Sequence, residues 1–130
     1  MSNKYKIIDI NSLERFFINI KEYITRLLST KQDKFTEVEH TVIETSYEIT
    51  PNVFHVWGEM TSLTITFASE TNGIVNEYLF QFESGSEPTV LTLPSNILWV
   101  NNEIPIIEPN YIYQVSVLKG LASVMKFKRT

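Results

Sequence analysis

Residues 83–117 read ESGSEPTVLTLPSNILWVNNEIPIIEPNYIYQVSV, and this stretch decides which class of fold the sequence predicts. The turn-forming cluster SGSEP precedes a short apolar strand, TVLTL, which ends at Pro94 because proline has no backbone N–H to donate. Trp99 anchors a second short strand, and Glu108-Pro109-Asn110 then turns the chain into the longer strand YIYQVSV. This succession predicts a compact hairpin scaffold that closes a β-sandwich.

The rest of the chain after residue 35 continues the pattern of short strands. TSLTITF and IVNEYLFQF alternate apolar and polar residues, which indicates antiparallel sheets with one face in water. Asn72-Gly73, Asn101-Asn102 and Lys119-Gly120 are turn pairs that predict hairpins. We therefore expect a mainly β domain at residues 35–130, an antiparallel β-sandwich of the jelly-roll type.

Residues 11–31, NSLERFFINIKEYITRLLSTK, have a different period. Their apolar residues recur at i, i+3, i+4 and i+7, which predicts one amphipathic helix from about Ser12 to Ser29. Its apolar face is wide enough for two seams, and two partners for it stay open: the chain's own β domain, or a bundle of identical helices, most simply three. The second alternative makes residues 1–34 an arm for attachment and oligomerisation, with an interface at Leu13, Phe16, Phe17, Ile20, Tyr23, Ile24 and Leu27.

Charge is distributed unevenly along the 130 residues, whose net charge is −4. Residues 1–34 carry +3, whereas residues 35–118 contain eleven glutamates and no lysine or arginine. A nucleic-acid interface needs cations that neutralise phosphates, so the β domain is not expected to bind nucleic acid. Three uses of the glutamates stay open: a solvated surface, a match to a basic partner, or a calcium site that includes Glu37 or Glu39.

Catalytic and metal-binding patterns are missing from the sequence. The chain has no cysteine, and its two histidines, His40 and His55, have no partner at ligand spacing, so His55 is expected to be a partly buried strand residue. No nucleophile motif or phosphate-binding loop is present. We expect no enzymatic activity, no catalytic residue, no metal and no cofactor. No segment is apolar enough to predict a membrane span or a secretion signal.

Aromatic residues are the remaining candidates for a ligand site. Trp57 and Trp99 are possible ligand-facing aromatics, because indole faces stack on sugars, but aromatic rings also fill sandwich cores. Tyr111 and Tyr113 share a strand face with Val115 and Val117, which favours a place in the core or in a subunit interface.

Two segments carry a resemblance to a known family: ITPNVFHVWGEMTSLTITF at residues 49–67 and NGIVNEYLFQFESGSEPTVLTLPSNILWVNNEIPIIEPNYIYQVSVLKGLASV at residues 72–124. They resemble a C-terminal module of bacteriophage virion proteins, found in head-fibre, tail-fibre and minor structural proteins of phages of Bacteroidetes, including crAss-like phages, and of Firmicutes. The resemblance implies a β-sandwich fibre or decoration domain, commonly trimeric, that follows a helical segment and has no enzymatic activity.

The resemblance leads to two expectations about function. The first is a virion structural protein, of the head-fibre or capsid-decoration type, made in the host bacterial cytoplasm and attached to other virion proteins through residues 1–34. The second is a tail-fibre or baseplate module that recognises a host surface glycan. Glycan binding that depends on an exposed aromatic residue would separate the second from the first.

Overall fold

The computed structural model describes residues 10–31, 35–41 and 43–130, without the side chains of residues 28–31. Within these ranges the chain forms one helix, α1 (Ile10–Lys31), and nine strands. The strands are β1 (Thr36–His40), β2 (Ser46–Ile49), β3 (Val53–Glu59), β4 (Ser62–Phe67), β5 (Glu77–Glu83), β6 (Val90–Thr92), β7 (Leu98–Trp99), β8 (Tyr111–Leu118) and β9 (Leu121–Lys128). The chain divides into two units, Met1–Lys34 and Phe35–Thr130.

The helix α1 is two residues longer at each end than the periodicity predicts. It begins at Ile10, so Asn11 and Ser12 lie inside its first turn and neither caps it, although Asn11 with Glu14 three residues later has the sequence pattern of a capping box and Ser12 is the alternative N-cap. At 1.5 Å per residue its 22 residues extend over about 33 Å. The expectation of one N-terminal amphipathic helix before a mainly β domain is confirmed.

The β unit is a sandwich of two sheets, as expected. The larger sheet has the strand order β1-β3-β5-β8-β9-β7, and the smaller sheet has the order β2-β4-β6. Successive strands from β1 to β6 therefore alternate between the two sheets. The chain winds around a shared core, and each turn of the winding lies beside the previous one.

This winding corrects the prediction of antiparallel sheets. Among the described strands, only β5–β8 and β8–β9 pair antiparallel; the remaining pairs are parallel. A strand that returns to the same sheet after one full turn runs in its original direction, so its pairing must be parallel. Alternation along a strand shows which face is buried but contains no information about the direction of the neighbour.

The same topology decides which predicted hairpins exist. Lys119-Gly120 does connect the antiparallel pair β8 and β9, with φ of 52° and 75°. Gly73 lies in a loop between β4 of the smaller sheet and β5 of the larger sheet, and Asn101 and Asn102 lie in a short 3-10 turn after β7. These two turns reverse the chain without forming hairpins. The compact hairpin scaffold expected in residues 83–117 is correspondingly wrong, since β6 and β7 belong to different sheets.

Successive turns of the winding are joined by hydrogen bonds at their corners. The Asn52 backbone N–H donates to the Glu77 carbonyl (2.8 Å), and its side-chain amide donates to the Val75 carbonyl (2.9 Å). At the opposite corner the Met60 N–H donates to the Glu83 carbonyl (2.9 Å), and the Thr89 hydroxyl donates to the Met60 carbonyl (2.5 Å). These bonds satisfy backbone groups that the sheet ladders leave over at the bends.

The core lies between the sheets and is rich in aromatic rings. Trp57, Phe80, Phe82 and Tyr113 are almost completely buried, and the rings of Phe82 and Tyr113 stack at 5.4 Å. Tyr113 also accepts a hydrogen bond from the Glu108 N–H (2.7 Å). Tyr113 therefore lies in the core, one of the two places that its strand face predicts. Half-buried Tyr111 packs at the edge of the core.

Candidate functional site

The first candidate surface is the apolar face of α1. The seven predicted interface residues are all exposed within their own unit, by 37% to 60% of their surface. At 100° per residue they fall within an arc of about 120° on the helix. Phe16 and Phe17 touch edge to face at 6.0 Å between ring centroids. The arrangement is a continuous apolar stripe. Of its two seams, the second contains Phe17 and Ile24. Leu28 continues that seam in sequence, but its side chain lies outside the described residues.

The second candidate surface is a groove in the β unit, between β6 and the loop that precedes β8. It encloses about 250 Å³. Half-buried Trp99 forms part of its wall, with Pro94 and Pro105, and the polar residues Thr92 and Ser95 also line it. Trp99 therefore lines a groove, and its role as a ligand-facing aromatic stays a prediction.

Trp57 does not fit the same prediction. Its side chain is completely buried, with 0% exposure, so it cannot face a ligand. The ring of His40 stacks on it at 4.1 Å with an angle of 12° between the planes. Trp57 and His55 are two residues apart on β3, so they point to the same face of the sheet, and both are buried on the inward face. Its Nε1 atom is the one buried side-chain nitrogen or oxygen without a hydrogen-bond partner in the described residues.

The structure brings the two histidines together, against the expectation that they are unrelated. His40 on β1 and His55 on β3 are neighbours in parallel strands, and His40 Nε2 lies 2.9 Å from His55 Nδ1. His40 Nδ1 lies 3.0 Å from a Glu44 carboxylate oxygen, and the Thr50 N–H donates to His55 Nε2 (3.3 Å). The pair is 15 residues apart in sequence, and only the parallel register of β1 and β3 makes it close.

The Thr50 N–H, as a donor, favours one arrangement of the protons in this chain of groups. Because His55 Nε2 accepts from Thr50, its proton is on Nδ1, and it donates to His40 Nε2. His40 must then carry its proton on Nδ1 and donate to Glu44. Both rings are neutral in this arrangement. Burial lowers the pKa of His55, the neighbouring His40 lowers it further, and the Thr50 hydrogen bond opposes them.

The histidine pair is not arranged for catalysis. The Thr50 hydroxyl is 3.5 Å from His55 Nε2, but that nitrogen already accepts the Thr50 N–H, so it has no free lone pair for a nucleophile's proton. Among residues 10–31, 35–41 and 43–130, no three His, Asp or Glu side chains converge on a point where they could hold a metal ion. Among the described residues, neither Glu37 nor Glu39 therefore belongs to a cluster of three side chains that could hold calcium.

The C-terminal residues form the main cluster of ion pairs. Arg129 Nη1 lies 3.0 Å from a Glu59 carboxylate oxygen, and its Nε lies 3.4 Å from Glu83. The same guanidinium donates to the Ser84 carbonyl (3.2 Å). Lys126 pairs with Glu108 at 3.2 Å, and this hydrogen bond raises the pKa of Lys126. Two basic residues near the C-terminus thus form ion pairs within the β unit, and Arg129 connects β3 with β5 through Glu59 and Glu83. We call this pair of contacts the Arg129 brace.

Comparison with family models, curated proteins and solved structures finds no match to this chain. The described part of the chain also has no helix with the length and hydrophobicity needed to cross a membrane.

Proposed function

We propose that this protein is a non-catalytic structural subunit of a phage virion, of the head-fibre or capsid-decoration type. The observation that supports a structural subunit is the apolar stripe of α1, whose seven side chains are exposed within their own unit. The virion assignment rests on the sequence resemblance of residues 49–67 and 72–124. A stripe of this size is costly to leave in water and is typical of an interface. The β-winding then serves as the projecting body.

A second copy of the same helix is the simplest partner for the stripe. Leu13, Ile20 and Leu27 recur every seven residues, which is the spacing that helices in a bundle use. The second seam, through Phe17 and Ile24, gives each helix a second neighbour, and this favours a trimer. Because a helix of 22 residues is short for an isolated bundle, we propose that the β units contribute contacts to the same assembly.

Charge supports a polarity for the attachment. Residues 1–34 carry +3, while residues 35–118 carry eleven glutamates and no cation. We propose that residues 1–34 face the particle or an adaptor protein and that the acidic β body projects into solvent. A reconstruction of intact particles tests this directly. Density for the β body at the outside, joined to the particle through the helix, is the expected result; a β body embedded in the shell with a free helix would contradict it.

Recognition of a host surface glycan is the second candidate function. The observation that favours it is the groove with Trp99 in its wall, which has about the size for one or two sugar rings and a few hydroxyls at its edge. The test is a glycan array with the full chain and with Trp99→Ala. Binding that Trp99→Ala abolishes supports this candidate, and absence of binding by the unaltered chain removes it.

A further inference from the structure

The first strand of the β unit, β1, is attached to the rest of the molecule in an unusual way. It is an edge strand that pairs with β3 alone. Four of its five residues, Thr36 to Glu39, are exposed. The fifth, His40, has a side chain that is only 2% exposed. Apart from the backbone ladder, the most deeply buried side chain that holds β1 is therefore a histidine, while Val38 on the same strand face is 38% exposed.

We propose that β1 is an acid-released latch, closed at neutral pH by the uncharged His40–His55 pair and opened when a proton enters that pair. This inference is independent of the proposed virion function. It requires only that the two rings stay neutral while β1 is docked. The geometry of their hydrogen bonds explains why an added proton would disfavour the docked strand.

Every nitrogen of the two rings is already used in the docked state. The chain runs from the Thr50 N–H, through His55 and His40, to the Glu44 carboxylate. One added proton must be placed on His40 Nε2 or, after a tautomer change, on His55 Nε2. The first choice sets the N–H of His40 against the N–H of His55, and the second sets the new N–H of His55 against the Thr50 N–H. The Thr50 hydroxyl, the other group near His55 Nε2, is 3.5 Å away, too distant for a strong hydrogen bond that would replace the lost one. Each arrangement turns a hydrogen bond into a contact between two donors.

The groups around the pair do not remove this conflict. On the loop after β1, Glu44 attracts a proton on His40, but its carboxylate is 48% exposed and is screened by water. Tyr47 on β2 contributes an aromatic ring, 4.3 Å from His40 and 5.7 Å from His55. Trp57 on β3 is stacked under His40, and Phe80 is the neighbour of His55 on β5; neither titrates. Glu39 on β1 itself and Glu48 on β2 are both exposed.

The direction of the pH effect follows from His55. Its pKa is lower in the folded protein than in a released or unfolded chain, where it returns to about 6.5. The folded form therefore binds fewer protons. Its stability is fully present above about pH 6.5 and decreases as the pH falls below that value, because the released state takes up the proton. The pair favours the docked strand at neutral pH and disfavours it in acid.

Trp57 is a direct reporter of the latch. In the variant Trp99→Phe it is the remaining tryptophan, and it is buried beneath His40. We expect acrylamide to quench its fluorescence weakly at about pH 7.5 and, at about pH 5, as strongly as an exposed indole, with a red-shifted emission maximum. Quenching that is equally weak at both pH values would overturn the proposal.

Two matched variants in the Trp99→Phe background assign the effect to the histidines. His40→Phe/His55→Leu replaces the pair by apolar side chains and should keep Trp57 protected at both pH values. Glu37→Gln/Glu39→Gln removes two exposed carboxylates from the same strand and should leave the pH response intact. A response that survives the first variant, or disappears in the second, would contradict the latch.

A measurement on the unaltered chain keeps the test valid if the histidine variant does not fold. Nitrogen NMR of the imidazole rings reports charge and tautomer. We expect a neutral His55 protonated on Nδ1 at about pH 7.5, and a charged ring only together with loss of amide protection in β1. A charged His55 in a β1 that stays protected would overturn the proposal.

Discussion

In the turn between β8 and β9, Lys119 adopts a backbone conformation that is unfavourable for lysine. Lys119 adopts φ of 52° and Gly120 φ of 75°, the left-handed pair that a two-residue hairpin turn needs. Glycine adopts this conformation without a steric cost, whereas lysine does not. Lys119 thus keeps a strained backbone at a position where asparagine is favoured.

We expect Lys119→Asn to raise the free energy of unfolding by about 0.5 kcal/mol, because asparagine tolerates the left-handed region better than lysine. Urea denaturation of the two proteins measures the change. Gly120→Val is the opposing variant and should lower the free energy of unfolding by about 1–3 kcal/mol. A Lys119→Asn protein that unfolds at lower urea than the unaltered chain would contradict this account of the turn.

Gly85 is needed for a different reason, which is the closeness of a neighbouring side chain. A Cβ atom at residue 85 would lie 2.1 Å from Glu59 Oε1. Cδ and Cγ of Glu59 would lie 2.4 Å and 2.9 Å away, so the whole side chain of Glu59 must rotate away, which breaks its ion pair with Arg129. We expect Gly85→Ala to lower the free energy of unfolding by less than about 1 kcal/mol, the value of an exposed pair.

Glu59→Gln is the control for the Gly85 prediction, because it removes the same ion pair without a steric change. The double variant should be no less stable than Gly85→Ala alone, since both changes remove one interaction. Thermal or urea unfolding of the three proteins gives the comparison. Fully additive losses would show that Gly85→Ala disturbs something other than the Arg129–Glu59 pair.

At the scale of elements, α1 was predictable and the direction of strand pairing was not. The 3.6-residue period of Leu13, Phe16 and Ile20 encodes a helix and its apolar face locally. Alternation in TSLTITF likewise encodes which side chains of β4 are buried. Whether β4 pairs with β2 in parallel depends on how the chain crosses between sheets, and this is decided by corners such as Asn52 that bond to distant residues.

The same limit explains the errors at the candidate sites. Trp57 and Trp99 look equivalent in sequence, yet one is on the inward face of β3 and the other beside a groove. The His40–His55 pair depends on the register between β1 and β3. The sequence does contain one indication of the pair. His55 and Trp57 are two residues apart and share a strand face, so if Trp57 is buried, His55 must be buried too and needs a hydrogen-bond partner.

The role of α1 is tested by a pair of variants at adjacent residues. Ile20→Asp places a carboxylate in the apolar stripe, where burying it without a partner is costly, so we expect the assembly to dissociate. Asn19→Asp introduces the same side chain one residue away, outside the stripe, and should leave the assembly intact. Sedimentation velocity compares the two. Equal sedimentation of both variants with the unaltered chain would show that the stripe is not the interface.

Under the proposed function, the two units of the molecule have separate tasks. The residues from Phe35 onward form a winding with its own aromatic core, braced at its C-terminus by Arg129. The residues before it supply the apolar stripe of α1 and most of the basic charge that is not used in that brace. This division fits a subunit whose N-terminal segment assembles and attaches while its β body is displayed.

The proposed function requires that copies of this chain associate, and this association determines the mass in solution. Light scattering on the unaltered chain at about micromolar concentration should return a multiple of the 15.1 kDa monomer mass, and three copies under the proposed arrangement. A dimer or tetramer would keep the claim of self-assembly and correct its stoichiometry. A mass of 15.1 kDa, unchanged as the concentration rises, would contradict the account.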